Sequence, residues 1–182
     1  MAYTVRLIIF NLTEKGTVMN TGQMLLTIGA MLLLSTLVLK VNTTNMTTDS
    51  VRAEAQYGVL ATSIITSFME EAKGLAFDSV TDSNSVNLLS QLTIPLKLGP
   101  ESGETYDTFN DFDDYNNFTK VDSTMPTAHF NISCKVEYVT TANVSGFSTL
   151  PTWHKKLTVT VSSPFMASAV KQSTIYSYWF FR

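Results

Sequence analysis

The residues best suited to chemistry stand in one acidic, aromatic stretch, Tyr106-Asp107-Thr108-Phe109-Asn110-Asp111-Phe112-Asp113-Asp114-Tyr115-Asn116-Asn117-Phe118. Asp107, Asp111, Asp113 and Asp114, with Asn110 and Asn116, offer hard oxygen ligands at loop-like spacing, the donor type that suits Ca²⁺. The regular spacing and closing Glu of an EF-hand loop are missing, so the same residues also read as a solvated acidic loop capping a sheet. Other chemistry is thin. His129 and His154 lie far apart, with no Cys or carboxylate at ligand spacing, and read as surface strand residues. Cys134 is the one cysteine, which excludes an internal disulfide or a paired-thiol metal site and leaves a small core residue. No Gly-rich phosphate loop and no Ser-His-Asp arrangement stands out, so the chain reads as a protein without catalytic residues or an obligatory cofactor. A net charge of −3 with scattered Lys gives no basic stripe, and nucleic acid is not an expected partner.

The elements that must position these residues begin with a long apolar run. A chain of 182 residues holds one domain and an appendage. Charged residues are 15%, against a usual ~25%, and Thr, Ser and Asn are abundant, which suits a β-rich extracytoplasmic surface. From Gly22 to Leu39 there is no charge and no proline. At ~1.5 Å per residue, a helix of that length crosses most of a ~30 Å hydrocarbon layer. A secretory signal would have a run of ~7–15 residues and a small-x-small cleavage site; this run is longer and ends in Lys40-Val41-Asn42. Arg6 and Lys15 precede it and only Lys40 follows closely, which puts the N-terminus inside and the bulk outside.

Past the run, Asn42-Thr43-Thr44-Asn45-Met46-Thr47-Thr48 has poor helix propensity, and Asp49 or Ser50 is a good N-cap for a second helical pattern. Val51, Ala55, Gly58/Val59, Thr62, Ile65, Met69 and Ala72 share one face, widened by Ile64 and Phe68, and Gly74 is a natural stop. Residues 88–98 form a possible edge strand, demoted by Pro95. Better strands follow. Phe130, Ile132, Cys134, Val136 and Tyr138 alternate with polar residues, as do Leu157, Val159 and Val161, and a third strand spans about Ala169 to Phe180. Short connections imply an antiparallel meander. The expected fold is α+β, a long N-terminal helix with an apolar half and an amphipathic half, the second packed on a C-terminal antiparallel sheet.

That order of elements resembles the type IV pilins and type II secretion pseudopilins. Two further stretches carry the resemblance. Lys155-Lys156-Leu157-Thr158-Val159-Thr160-Val161-Ser162-Ser163-Pro164, followed by Ser173-Thr174-Ile175-Tyr176-Ser177, looks like the late β-hairpin of minor pilins and pseudopilins. Phe109-Asn110-Asp111-Phe112-Asp113-Asp114-Tyr115-Asn116 is similar to an Asp-rich segment of minor pilins related to the mannose-sensitive haemagglutinin system. The resemblance implies a leader peptide over residues 1–22, an apolar assembly helix over 23–41, an amphipathic spine over 42–75 and a β-rich head over 76–182. Prepilin peptidase would cut between Gly22 and Gln23, or after Gly16 of the Lys15-Gly16 pair. The sequence departs from the family pattern at the fifth mature position, where Thr27 stands in place of Glu, which implies a minor or divergent subunit.

The assembly helix would present Met24, Leu25, Leu26, Thr27, Ile28, Gly29, Met31, Leu32, Leu33 and Leu34 first to membrane lipid and then to sister pilin or pseudopilin helices. The weakly helical 42–48 segment would be where the helix bends or melts on packing. The implied location is the membrane as a single-pass protein with an extracytoplasmic head, then a cell-surface filament. A different class fits the same run. A single-pass anchored binding or adhesion module, Ca²⁺-dependent in one version, would use the helix as a tether alone.

Overall fold

In a computed structural model, residues 20–125 and 128–178 are described. Gly16 and the remainder of the proposed leader before Asn20 lie outside them, as do Trp179, Phe180 and Phe181. Helix α1 spans Thr21–Lys73, 53 residues. It starts with the backbone amide of Gln23 donating to the Asn20 carbonyl at 2.7 Å. It ends where the Gly74 amide donates to the Glu70 and Glu71 carbonyls at 3.1 and 3.0 Å; a Cβ on Gly74 would sit 3.2 Å from the Glu71 oxygen. Asp49 and Ser50, expected as N-caps, are interior residues of this helix, and the 42–48 stretch is helical throughout.

The reason lies in the hydroxyls. Thr43 Oγ1 donates to the Leu39 carbonyl and Thr44 Oγ1 to that of Lys40, both at 2.9 Å. Thr47 and Thr48 each reach the Thr44 carbonyl at 2.8 Å. Low propensity arises partly because such side chains compete for backbone groups in non-helical conformations. Here they bond one turn back along the helix, a geometry the helix tolerates.

Among the described residues, those up to Ser50 and those from Val51 onward form two separate units. In the second, the rest of α1 lies on a four-stranded sheet ordered β1-β2-β3-β4, made of Thr119–Met125, Ala128–Tyr138, His154–Ser162 and Val170–Ser177. All pairings are antiparallel, an α+β layout of helix on meander. Strands β2 and β3 sit where the alternation places them, and β4 lies within the third expected strand. Strand β1 has no apolar alternation to announce it: Thr119, Lys120 and Val121 are exposed, and it is held by its ladder to β2. The possible strand over 88–98 is instead two 3₁₀ turns, Leu89–Gln91 and Pro95–Lys97, the second opened by the proline that cannot donate to a ladder.

The core joins Ala61, Ile65, Phe68, Met69 and Ala72 of α1 to the inward residues of β2 and β3. Phe68 packs edge-on to Tyr115 at 6.4 Å, and Tyr57 edge-on to Phe130 at 6.3 Å. The covered stripe is narrower than the periodicity suggests. Val51, Ala55, Val59 and Thr62 are exposed, and Tyr57, Leu60 and Ile64 take the flank of the packed face. Cys134 is buried between strand neighbours as a small apolar residue, its thiol pushed up to about 12 by burial.

Candidate functional site

On its leading stretch α1 presents apolar side chains to the outside. Leu25, Leu26, Met31, Leu32, Leu33, Leu34 and Leu39 are each more than 60% exposed, on every side of the helix. Met24, Thr27 and Ile28 are exposed as well, while Gly29 is half-buried. The polar groups within the run are closed on themselves, Thr27 Oγ1 donating to the Met24 carbonyl and Thr36 Oγ1 to that of Leu33, both at 2.9 Å. Exposing one such leucine to water forgoes about 1.5–3 kcal/mol of burial. A surface of this kind therefore needs an apolar surrounding. The helix is near the N-terminus, and long and apolar enough to cross a membrane. Gly22 and Gln23 occupy its exposed first turn.

The head contains a second concentration of chemistry, built around the acidic stretch. On leaving α1 the chain forms a parallel bridge between Ala76 and Asp111, with the Phe112 amide donating to the Ala76 carbonyl at 2.9 Å. This fixes the 110–115 segment against Phe77 and Asp78. Contrary to the solvated-loop expectation, Asp111, Asp113 and Asp114 are buried. The local cause is a 3₁₀ turn over Phe112–Tyr115 that uses Asp111 as its N-cap. Asp111 Oδ1 accepts from the Asp113 and Asp114 amides at 2.8 and 3.3 Å. Asp114 Oδ2 accepts from the Asn110 and Asp111 amides at 2.9 and 3.1 Å. Phe112 and Tyr115, on the same turn, plug into the core and carry the carboxylates inward with them.

Lys155 answers part of this charge. It shares the inward face of β3 with Leu157, Val159 and Val161, opposite Tyr138 on β2 and Tyr176 on β4, and is completely buried. Its Nζ donates to the Phe77 carbonyl at 2.7 Å, to Asp78 Oδ2 at 2.9 Å and to Asp113 Oδ1. The ammonium also lies 4.7 Å from the centre of the Phe77 ring. Asp78 receives further bonds from the Thr93 amide at 3.0 Å and the Tyr138 hydroxyl at 3.3 Å, and caps α2, Ser79–Ser83. Burial alone would push Asp78 up, but the Lys155 charge and these donors hold it below the ordinary carboxylate range. Asp113 is held above that range by burial, with Lys155 pulling the other way.

Asp111 is different. Burial, then the neighbouring Asp113 and Asp114 charges, push its carboxyl up to about 9. Glu101 joins this side of the cluster: one carboxylate oxygen from each of Glu101, Asp111 and Asp114 lies within 4.8 Å of the others. Glu104 is beside them, its Oε2 accepting from the Glu101 amide at 2.8 Å and its Oε1 from Asn110 Nδ2 at 2.9 Å.

The acidic residues named from sequence thus divide. Asp111 and Asp114 come together with Glu101, Asp113 turns to Lys155, and Asp107 is exposed and belongs to neither group. Asp78, Glu101 and Lys155 are the additions. Lys155 was recoverable, because it has the same parity as Leu157 and Val159 on a strand whose inward face is plain. Glu101 had no comparable signal, since turn geometry alone brings it in. His129 is exposed, and half-buried His154 accepts from or donates to Ser177 Oγ through Nδ1 at 2.7 Å, away from the carboxylates. Tyr176 packs on Phe77 and Phe112 with centroids at 5.7 and 5.1 Å, part of the sheet as its pattern suggests.

Comparison with protein-family models, with curated proteins and with solved structures finds no match in any of the three.

Proposed function

We propose that the chain is a structural subunit of a pilin-like filament or secretion pseudopilus, inserted in the membrane by the first part of α1 and assembled through helix–helix packing. The observation that carries this reading is α1 itself. One unbroken helix has an all-round apolar surface at residues 24–39 and supplies five buried residues to the head's core at 61–72. A tether has no need to continue as the spine of the domain it holds; a subunit whose head must be carried by a packed helix does.

The physical logic of assembly follows. Leaving lipid for a bundle of like helices exchanges one apolar surrounding for another, so the two states differ little in free energy and an external motor can set direction. Gly29, Ala30, Ser35 and Thr36 are small enough to let neighbours approach closely. Thr27, at the position where relatives of this class would carry Glu, closes its hydroxyl on Met24 and offers a neighbour no charge. Such a subunit would join a filament in small numbers, as a minor component, with its head outside the membrane.

The deciding experiment is mass spectrometry of the mature N-terminus, combined with cross-linking between cysteines placed at Leu26 and Leu33. A new terminus at Gln23, or close to it, and cross-links to other helices of the same class support the reading. An intact Met1 on a protein that cross-links to nothing sinks it and leaves the anchored binding module.

A further inference from the structure

We infer that Glu101, Asp111 and Asp114 form a binding site for one divalent cation, Ca²⁺. The inference goes beyond the filament reading and stands independently of it. Three carboxylate oxygens from these residues lie within 4.8 Å of one another. A second observation points the same way. The turn's own amides occupy Asp111 Oδ1 and Asp114 Oδ2, and the other oxygen of Asp114, Oδ1, is buried with no hydrogen-bond partner among the described residues. The two residues are 1% and 0% exposed, so water has little access to either. A buried carboxylate oxygen without a donor is costly, and pairs or metals are the usual remedy.

Charge completes the case. Lys155 is engaged by Asp78 and Asp113, and among the described residues no cationic side chain lies within 4.0 Å of the Glu101, Asp111 or Asp114 carboxylates. The donor set favours calcium. Ca²⁺ takes several protein carboxylates in a flexible arrangement, whereas Mg²⁺ demands near-ideal octahedral geometry and usually keeps several of its waters. The buried pair would form the fixed floor of the site, and Glu101, exposed, its closing ligand and entry point. Gly99 and Gly103, at φ 134° and 96°, allow the turn that carries Glu101 back toward the cluster. A bound ion would pin that turn to the 112–115 turn and so to the sheet.

The test uses the full chain in detergent micelles, stripped with EDTA and titrated with CaCl₂ by calorimetry and by thermal melting, with MgCl₂ in parallel. One calcium should bind per chain and raise Tm by about 5–10 °C at a hundredfold excess over Kd. Glu101→Gln, a surface change that leaves the core untouched, should weaken binding at least tenfold. Asp111→Asn should abolish it, and Asp107→Asn should leave it unchanged. No heat and no change in Tm with either metal overturns the site, as does wild-type affinity in a folded Glu101→Gln protein. Tighter binding of Mg²⁺ than of Ca²⁺ overturns the assignment to calcium.

Discussion

The early and late parts of α1 are both rich in apolar residues, yet they dispose of them in opposite ways. Between 24 and 39 the large apolar side chains are exposed on all sides and every internal hydroxyl with a recorded bond is turned back on its own helix. Between 61 and 72 the apolar residues sit on one face, and Ala61, Ile65 and Ala72 are fully covered by the head. The late part is covered by the head, while among the described residues nothing covers the early part. On the proposed reading, that difference separates two kinds of residue importance: substitutions in the late part act on folding, and those in the early part act on where the folded protein goes.

The largest effect should come from breaking the covered half. Phe68 is wedged between Tyr115 and Phe118, with centroids at 6.4 and 6.1 Å. Phe68→Ala should cost about 3–5 kcal/mol, read as a lower urea midpoint with membrane association unchanged in the fraction that folds. The next test breaks the exposed half. Leu33→Arg should oppose insertion by about 2.5–3.5 kcal/mol and shift the protein out of the carbonate-resistant membrane fraction, with no change in the thermal midpoint of the head. If Leu33→Arg instead lowered that midpoint, the division of labour along α1 would be wrong.

A third prediction sharpens the covered side, where charge as well as apolar surface is settled internally. Asp78→Asn keeps the shape and removes the negative partner of Lys155, so it should cost about 1.5–3 kcal/mol at neutral pH. The sign with pH follows from the direction of the shift. Asp78 is held below its ordinary value of 3.8 in the folded state, so its stabilisation is present above that value and is lost as pH falls through the lower, folded one. The gap between wild type and Asp78→Asn should therefore be constant from neutrality down to about pH 5 and begin to narrow below about pH 4. Urea midpoints at pH 7, 5 and 3 measure it, and a gap that does not narrow at all between pH 5 and pH 3 would remove the ion pair as its cause.

Much of this was legible in the sequence. Periodicity exposed both characters of the helix and the strands β2 and β3, because one-sided burial writes itself as alternation, and β4 showed in its β-branched and aromatic content. The missed elements are those whose stability is not written locally. Strand β1 is polar and depends on pairing with β2. The 88–98 segment is apolar enough for a strand but is bent by Pro95 into turns. The acidic stretch looked soluble by composition, and its burial depends on Phe112 and Tyr115 entering the core and on a lysine about forty residues later in the chain, at Lys155. Glu101 reaches the cluster through a turn at two positive-φ glycines, a geometry that composition does not announce.

The smallest expected effect lies between the two parts of α1. Asn42 to Thr48 ought to weaken the helix, and the observed compensation is a run of hydroxyl bonds to carbonyls one turn back. If those bonds only offset a propensity deficit, replacing Thr47 by Ala, the best helix former, should leave helicity unchanged or raise it slightly, by no more than about 0.5 kcal/mol. If instead the threonines hold the segment helical against fraying, Thr47→Ala should speed amide hydrogen exchange at residues 47–51. Exchange measured in micelles distinguishes the two, and the propensity argument predicts the first. Slower or unchanged exchange in the variant would mean that the joint is helical because both neighbouring parts are, with the threonines merely compatible with it. Faster exchange would make this short polar segment the place where the two parts of α1 can be uncoupled.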